Sequence, residues 1–385
     1  MLKHLRLEKL KDSKMSDLNK DFPLLSQKAR RRAVLGGGLA LGAFSLTATS
    51  GLGAPIATGT ARSTSGTPLF VDTVKDLASH PLTVLESWYV NAAFESRGKI
   101  VGFEWHQSVT PQGSMTEFLL MNGSDGIWRP QVASEPASDK VGAATTECHV
   151  YSSLGTLKGD RSQFQLKLGS GQNSVDVVLT PQREELYNGT TGLLRFLGSD
   201  SYEFAFPNMR AKGSMTIDGD VFPVDAKSVW FDRQWAKSEA ADPQEQAKKA
   251  EQINQSHWTW LGLTFGASDK CAISFWDVME PNQRSTFLTY LREDGVQMNV
   301  DAQVEYDRIW TSSDTGQRYP AVAHITAPAI NLDIVLTAML ERPEFVYQPG
   351  QGHSGCQSLC LVKGKIGANI VSKPAILELI GGIDL

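Results

Sequence analysis

The chain has little cysteine, no long hydrophobic run in its body and none of the short motifs that mark a bound cofactor. Its 385 residues include four cysteines, at positions 148, 271, 356 and 360. No CxxC pair or His-rich spacing suggests zinc. Cys356 and Cys360 stand four apart in a predicted strand, about 13 Å along it and too far to bridge each other. The thiols are therefore expected to be free or only partly paired. No apolar stretch in the body reaches 18 residues, which excludes a polytopic helical membrane protein. A GxGxxG turn after a strand, a phosphate loop, a GxSxG elbow and HExxH are all missing, and the seven histidines are scattered. Dinucleotide, nucleotide, serine-hydrolase and zincin chemistry thus have no footing, and neither a metal nor another cofactor is expected. Basic charge is also scarce outside the amino terminus. Residues 1–54 hold ten Lys/Arg and four Asp/Glu, so the net charge of −5 becomes −11 for the remainder. A body that acidic is a poor partner for nucleic acid.

What is present begins with an address. Arg30, Arg31 and Arg32 precede the small, apolar stretch Ala33–Ala48 (AVLGGGLALGAFSLTA). A positive region, a short apolar region and a small-residue exit form the pattern of an export signal. Arg31-Arg32-Ala33-Val34-Leu35 resembles a twin-arginine core. Six glycines between Gly36 and Gly53 argue against a stable buried helix there. Residues 1–54 are expected to be a twin-arginine-like signal and 55–68 a linker. The expected location is periplasmic or secreted, or membrane-anchored if the signal stays uncleaved.

From residue 69 the dominant pattern is alternation. Trp88-Tyr89-Val90, a turn near Arg97-Gly98 and Ile100–His106 predict a hairpin. Further strands are predicted at Phe164–Leu168, Ser174–Leu179, Tyr202–Phe206, Gly213–Ile217 and Ser228–Trp235. A second series covers Thr259–Phe265, Cys271–Val278, Thr286–Leu291, Val304–Trp310, Ala321–Thr326, Asn331–Ala338, Cys356–Lys363 and Ala375–Ile380. Short strands at this spacing predict sandwiches or barrels. Gly-Ser at 123–124, Gly-Asp at 219–220 and Asp-Gly at 294–295 are hairpin-type signals. Only Ser238–Ser256 breaks the pattern. It is polar and rich in Ala, Gln, Glu and Lys, with Asp242-Pro243 as a helix start. The expectation is an all-β protein with two units, 69–240 and 241–385, joined through a short helical insertion. No repeat in the sequence relates the halves.

Two strand segments place charge among aromatics. In Ser228–Trp235 (SVWFDRQW), alternation puts Trp230, Asp232 and Gln234 on one face and Phe231, Arg233 and Trp235 on the other. In Ser274–Val278 (SFWDV), Asp277 follows Phe275 and Trp276. An acid in an apolar pocket has its pKa raised and can donate a proton, and aromatic faces can stabilise a cation. The plainer alternative is that Arg233 pairs with an acid across strands and the tryptophans are core. His106 is a candidate cavity donor or a satisfied core histidine. Glu86 is a candidate site residue or the structural partner of Arg233 or Arg210. Trp258 and Trp260, alternating with Thr259, read as packing rather than as a substrate platform.

Glu86-Ser87-Trp88-Tyr89-Val90-Asn91 followed by Gly102-Phe103-Glu104-Trp105-His106 resembles the E-x-W-Y…G-x-x-F opening of the lipocalin-like AttH/CrtC family. Ser228–Trp235 resembles that family's W-[FMY]-D-[HR]-x-W signature, and Leu377-Glu378-Leu379-Ile380-Gly381-Gly382 its closing V-E-L-T-G-Y. The family includes carotenoid 1,2-hydratases and kievitone hydratase, with fungal decalin-forming Diels–Alderases as more distant relatives. The resemblance implies two lipocalin-like units with a ligand cavity, and catalytic positions at Arg233, Trp235, Phe275 and Asp277. Arg233 stands where carotenoid hydratases tend to have His, and Phe275 where they tend to have Tyr. Ala236 replaces the usual glycine and Gly382 the terminal Tyr, so a carotenoid substrate is disfavoured.

The resemblance and the aromatic–acid strands together imply an exported, cofactor-independent hydratase or hydro-lyase on an isoprenoid or prenylated apolar substrate. In that expectation Asp277 protonates the alkene, Trp235 and Trp230 shield the cation and Arg233 orients a substrate oxygen. Phe275, Asp232, Trp88, Glu86 and His106 then line the substrate. Two alternatives stand beside it: a cyclase or pericyclase folding a polyene, and a non-enzymatic binder of lipid or another hydrophobic ligand. The partner expected is a small apolar substrate or lipid, with peripheral membrane association allowed and no protein partner readable.

Overall fold

In the computed structural model the described residues are 66–80, 83–196, 199–237, 255–347 and 354–384. The signal-like segment and almost all of the predicted helix at 238–256 lie outside them.

The first hairpin forms where alternation and turn chemistry agree. Strand Thr83–Ser96 turns through Arg97-Gly98 into strand Lys99–Thr110. Both turn residues have positive φ, 54° and 72°, the geometry that matches the twist of a two-residue hairpin. Strands Gly113–Asn122 and Ile127–Pro136 extend this limb by further hairpins. A returning limb climbs back through Cys148–Ser152, Gly155–Asp160, Gln163–Ser170, Asn173–Pro181, Ser199–Ile217 and Asp220–Lys237. The last of these pairs antiparallel with Thr83–Ser96, so the first and last strands meet in the middle of the sheet.

The second sheet repeats the plan. His257–Phe265, Cys271–Glu280, Gln283–Leu291 and Gln297–Asp301 form the outgoing limb. Gln303–Thr311, Arg318–Ala327, Leu332–Ala338, Ser354–Ile366 and Asn369–Ile380 return, and the last again pairs with the first. The all-β expectation of two lipocalin-like units holds, as two curled antiparallel half-barrels. Their shared topology is a duplication the sequence does not disclose.

Two local expectations are corrected. Tyr202–Phe206 and Gly213–Ile217 are parts of one 19-residue strand, not two. The register shifts between Phe206 and Met209 and again before Ala211. Pro207 at that point has no N–H to give, and bulging absorbs the mismatch. The hairpin expected around 219–220 turns one residue earlier, at Asp218-Gly219, with φ of 52° and 91°. All four cysteines are free and buried.

Each sheet curls around its own core. Trp88, Phe103, Trp105, Phe164, Phe231 and Trp235 are among the side chains filling the first. Leu261, Phe275, Leu288, Tyr319, Ile334 and Val362 are among those filling the second. Residues of the opposite parity point out of the half-barrels and press the sheets back to back. One apolar patch of this interlayer gathers Tyr89, Trp230, Trp260, Trp276 and Leu291; another gathers Leu119, Met121, Leu359, Ile376 and Ile380. Gly262 lets the sheets come this close. A Cβ there would lie 2.5 Å from Cδ2 of Trp230. Gly262→Ala should therefore push the indole aside and lower the thermal midpoint, a result that calorimetry checks.

Candidate active site between the two sheets

Between the two apolar patches runs a polar strip. Its carboxyls are Glu104 on Lys99–Thr110, Glu117 on Gly113–Asn122, Glu203 on Ser199–Ile217, Asp232 on Asp220–Lys237 and Glu378 on Asn369–Ile380; none is more than 7% exposed. Strand register brings them together. Tyr89 sits opposite both Asp232 and His106, Asn91 opposite both Trp230 and Glu104, and His106 opposite Glu117. The second sheet answers with Trp258 and Trp260 on its first strand, Trp276 on the next, and Gln357 and Glu378 on its last two. The Trp258 indole donates to Oε1 of Glu378 at 2.7 Å, and the Tyr89 hydroxyl donates across the interlayer to Oε1 of Gln357 at 3.4 Å. Tyr89 meets Trp260 edge-on at 5.2 Å between centroids, and Trp260 meets Trp230 and Trp276 in the same way.

No described cation neutralises this strip. Burial pushes the carboxyls of Glu104, Glu117, Glu203 and Asp232 well above the ordinary range, and the neighbouring acids push them further. For Glu203 the neighbours are Asp232 and Glu378, and neither of its oxygens finds a hydrogen-bond partner. Glu378 is also raised by burial, but the Trp258 indole that donates to it favours its charged form. Burial lowers His106 to about 4, so its imidazole is neutral near pH 7. The strip therefore combines acids whose proton-bearing form burial favours with one carboxyl, Glu378, whose charged form an indole N–H also stabilises. Among the described residues no three His, Cys, Asp or Glu side chains converge as metal ligands.

A pH dependence of stability follows. A carboxyl raised in the folded state keeps its proton where the unfolded chain, at about pH 4, loses it. Its contribution is complete below the unfolded pKa and is lost as pH rises through the folded pKa. Thermal stability is expected to fall from pH 5 to pH 8. The E203Q/D232N double variant should flatten that slope in scanning calorimetry.

The sequence-predicted site residues fall in three places. Trp230, Asp232 and His106 lie in the interlayer. Trp88, Glu86, Arg233 and Trp235 face the interior of the first half-barrel, and Phe275 and Asp277 that of the second. Arg233 is fully buried and donates from Nε to the Asp76 carbonyl at 2.8 Å, from Nη1 to that of Gln234 at 2.7 Å and from Nη2 to that of Ala78 at 2.9 Å. Nη2 also binds the Glu86 carboxylate, and the guanidinium lies 4.0 Å from the Trp88 ring centroid and 5.0 Å from that of Trp235. Glu86 further accepts from the hydroxyls of Ser79 and Thr83 and the backbone N–H of His80, each at 2.8 Å. Burial opposes its ionisation, yet hydrogen bonds from His80 and the charge of Arg233 hold it down at about 2. This is a clamp that pins residues 72–80 to the barrel.

Asp277 has its own clamp. Arg284 donates to it from Nε at 2.8 Å and Nη2 at 2.9 Å, the Thr286 hydroxyl at 2.7 Å and the Tyr306 hydroxyl at 2.8 Å. No described partner of Asp277 is shared with Arg233, so the structure does not assemble the trio Asp277, Arg233 and Trp235 into one site. Asp277→Asn would aim an NH2 at the guanidinium. It should cost about 1–3 kcal/mol of stability in urea denaturation and spare the turnover of folded protein.

Glu104, Glu117, Glu203 and Glu378 were not among the predicted site residues. For Glu104, Glu203 and Glu378 the signal is the one that singled out Asp277: an acid flanked on both sides by large apolar residues within a strand, as in Phe103-Glu104-Trp105 or Leu377-Glu378-Leu379; Glu117 follows Thr116 and lacks it.

Back-to-back lipocalin-like half-barrels enclosing buried acids and indoles define a two-unit β-protein whose candidate site lies between its sheets. Residues 70–351 match the AttH-like family model, and the chain belongs to that family. Kievitone hydratase of Fusarium solani subsp. phaseoli is 28% identical over 173 residues, 43% of this chain and 45% of that protein. Dehydratase asqC of Emericella nidulans is 22% identical over 176 residues, 43% of this chain and 46% of its own length. The match thus spans a little under half of each relative. The crystal structure of kievitone hydratase from Nectria haematococca has the same fold, with a TM-score of 0.68 at 17% identity, covering 83% of this chain and 95% of that one.

Proposed function

We propose that the chain is a hydro-lyase that adds water to, or removes it from, an apolar alkene-bearing substrate between the two sheets. The observation that carries this reading is the set of buried, cation-free carboxyls that share the interlayer with the rings of Trp230 and Trp260. In the hydration direction, the Asp232 carboxyl donates its proton to the less substituted alkene carbon. The developing tertiary cation lies against the indole faces, which attract positive charge. A water oxygen bonds to that cation while its proton passes to the Glu378 carboxylate. Return of this proton to Asp232 resets the site, so the cycle balances on water alone. Dehydration is the same path reversed. Likeness to a hydratase and a dehydratase supports this class of reaction. An isoprenoid or prenylated apolar compound combines a trisubstituted alkene with an apolar body and is the substrate class in this reading.

The purified full chain incubated with a panel of prenylated phenols and the matching tertiary alcohols should interconvert them, seen by mass spectrometry as gain or loss of one water. No conversion in either direction across the panel would sink the reading.

A further inference from the structure

The second half-barrel holds a cavity of about 380 Å3, whose strand-borne walls face away from the interlayer. Its inner wall is apolar, with Ala323, Leu336, Cys356, Cys360, Leu377 and Leu379 among its lining residues. Their volume lies within the roughly 300–1,000 Å3 typical of small-molecule sites. Burial pushes the Cys360 thiol up to about 12 and the Cys356 thiol above its ordinary value, so both line the wall as neutral groups. The mouth is different. Arg308 and Arg342 reach it from separate segments, both exposed, and among the described residues neither guanidinium forms an ion pair. Glu341 is the one carboxylate on the rim, leaving the mouth net positive. Arg308 and Arg342 also hold φ of 52° and 48°, the left-handed region that few residues with a side chain occupy.

We infer that this cavity binds a single-chain amphiphile with an anionic head, its chain inside the half-barrel and its head between Arg308 and Arg342. The apolar wall excludes a polar body, and two unpaired guanidinium groups select an anion over a neutral or cationic head. This assignment is independent of the hydro-lyase reading, because the walls belong to the face of the sheet turned away from Asp232.

The test is isothermal titration of the full chain with dodecanoate, with dodecanol as the uncharged control, both below their aggregation limits. Dodecanoate should bind once per chain and more tightly than dodecanol. Charge reversal in R308E/R342E should weaken dodecanoate about tenfold or more and leave dodecanol unchanged. Ala338→Trp, which fills the mouth, should weaken both ligands, with melting curves showing that each variant is folded. Failure of dodecanoate to bind, equal affinity after charge reversal, or unaltered binding by the folded Ala338→Trp variant would each overturn the assignment.

Discussion

Glu378→Gln is expected to lower turnover by about two to four orders of magnitude, the usual contribution of a positioned acid or base. The side chain keeps its shape and can still accept from Trp258, but it can no longer take a proton from water. Asp232→Asn should cost as much from the donor side. In both variants kcat falls while KM stays near the parent value, because neither change removes apolar contact area. The pH profile discriminates between them. Loss of a base removes the acid limb of a bell-shaped curve, and loss of an acid removes the alkaline limb. Stability should move the other way. Each substitution replaces a buried acid raised by desolvation with a neutral amide, so the melting temperature is expected to hold or rise at pH 8. A variant that loses turnover only in step with melting would show that Glu378 or Asp232 is structural.

Arg233→Ala and Glu86→Ala are expected to cost about 3–5 kcal/mol each, because either one strands the other charge in a dry interior. Arg233 is fully buried and Glu86 is 2% exposed, so water cannot replace the missing partner. Residues 72–80 should lose protection first in hydrogen exchange, since their carbonyls at Asp76 and Ala78 depend on the guanidinium. The acid dependence has a defined sign. Glu86 has a folded value of about 2, below that of the unfolded chain, so its contribution is present above about pH 4.5 and is lost as pH falls through 2. If Arg233 instead touched substrate, Arg233→Lys would change kcat in protein that melts like the parent.

The fold was legible because strand alternation is a period-two signal carried by every inward residue. Trp230 and Asp232 were placed opposite Phe231, Arg233 and Trp235 from alternation alone, and the sheet honours that division. What alternation cannot say is which face meets another sheet and which closes on a core. That ambiguity put Asp277 and Arg233 in one imagined pocket, although their faces turn into different half-barrels. Arg284 and Tyr306, the partners of Asp277, come from strands 7 and 29 residues away. The interlayer acids were missed for a related reason. Glu203 and Glu378 lie 175 residues apart, and only the packing of two sheets makes them neighbours. Glu86 as the structural partner of Arg233 or Arg210 is a reading the sequence offers, and the structure pairs it with Arg233.

The common topology of the two sheets has a consequence for how the interlayer is furnished. Two identical chains meeting back to back on a dyad would have to present the same groups from both sides. Here the sheets are successive parts of one polypeptide, and that constraint is lifted. One wall carries Glu104, Glu117, Glu203 and Asp232 with the ring of Trp230, while the other carries Trp258, Trp260 and Trp276 with the single carboxyl of Glu378. Proton donors and cation-stabilising rings can thus be distributed unequally over an interlayer in which exact symmetry would have set like against like.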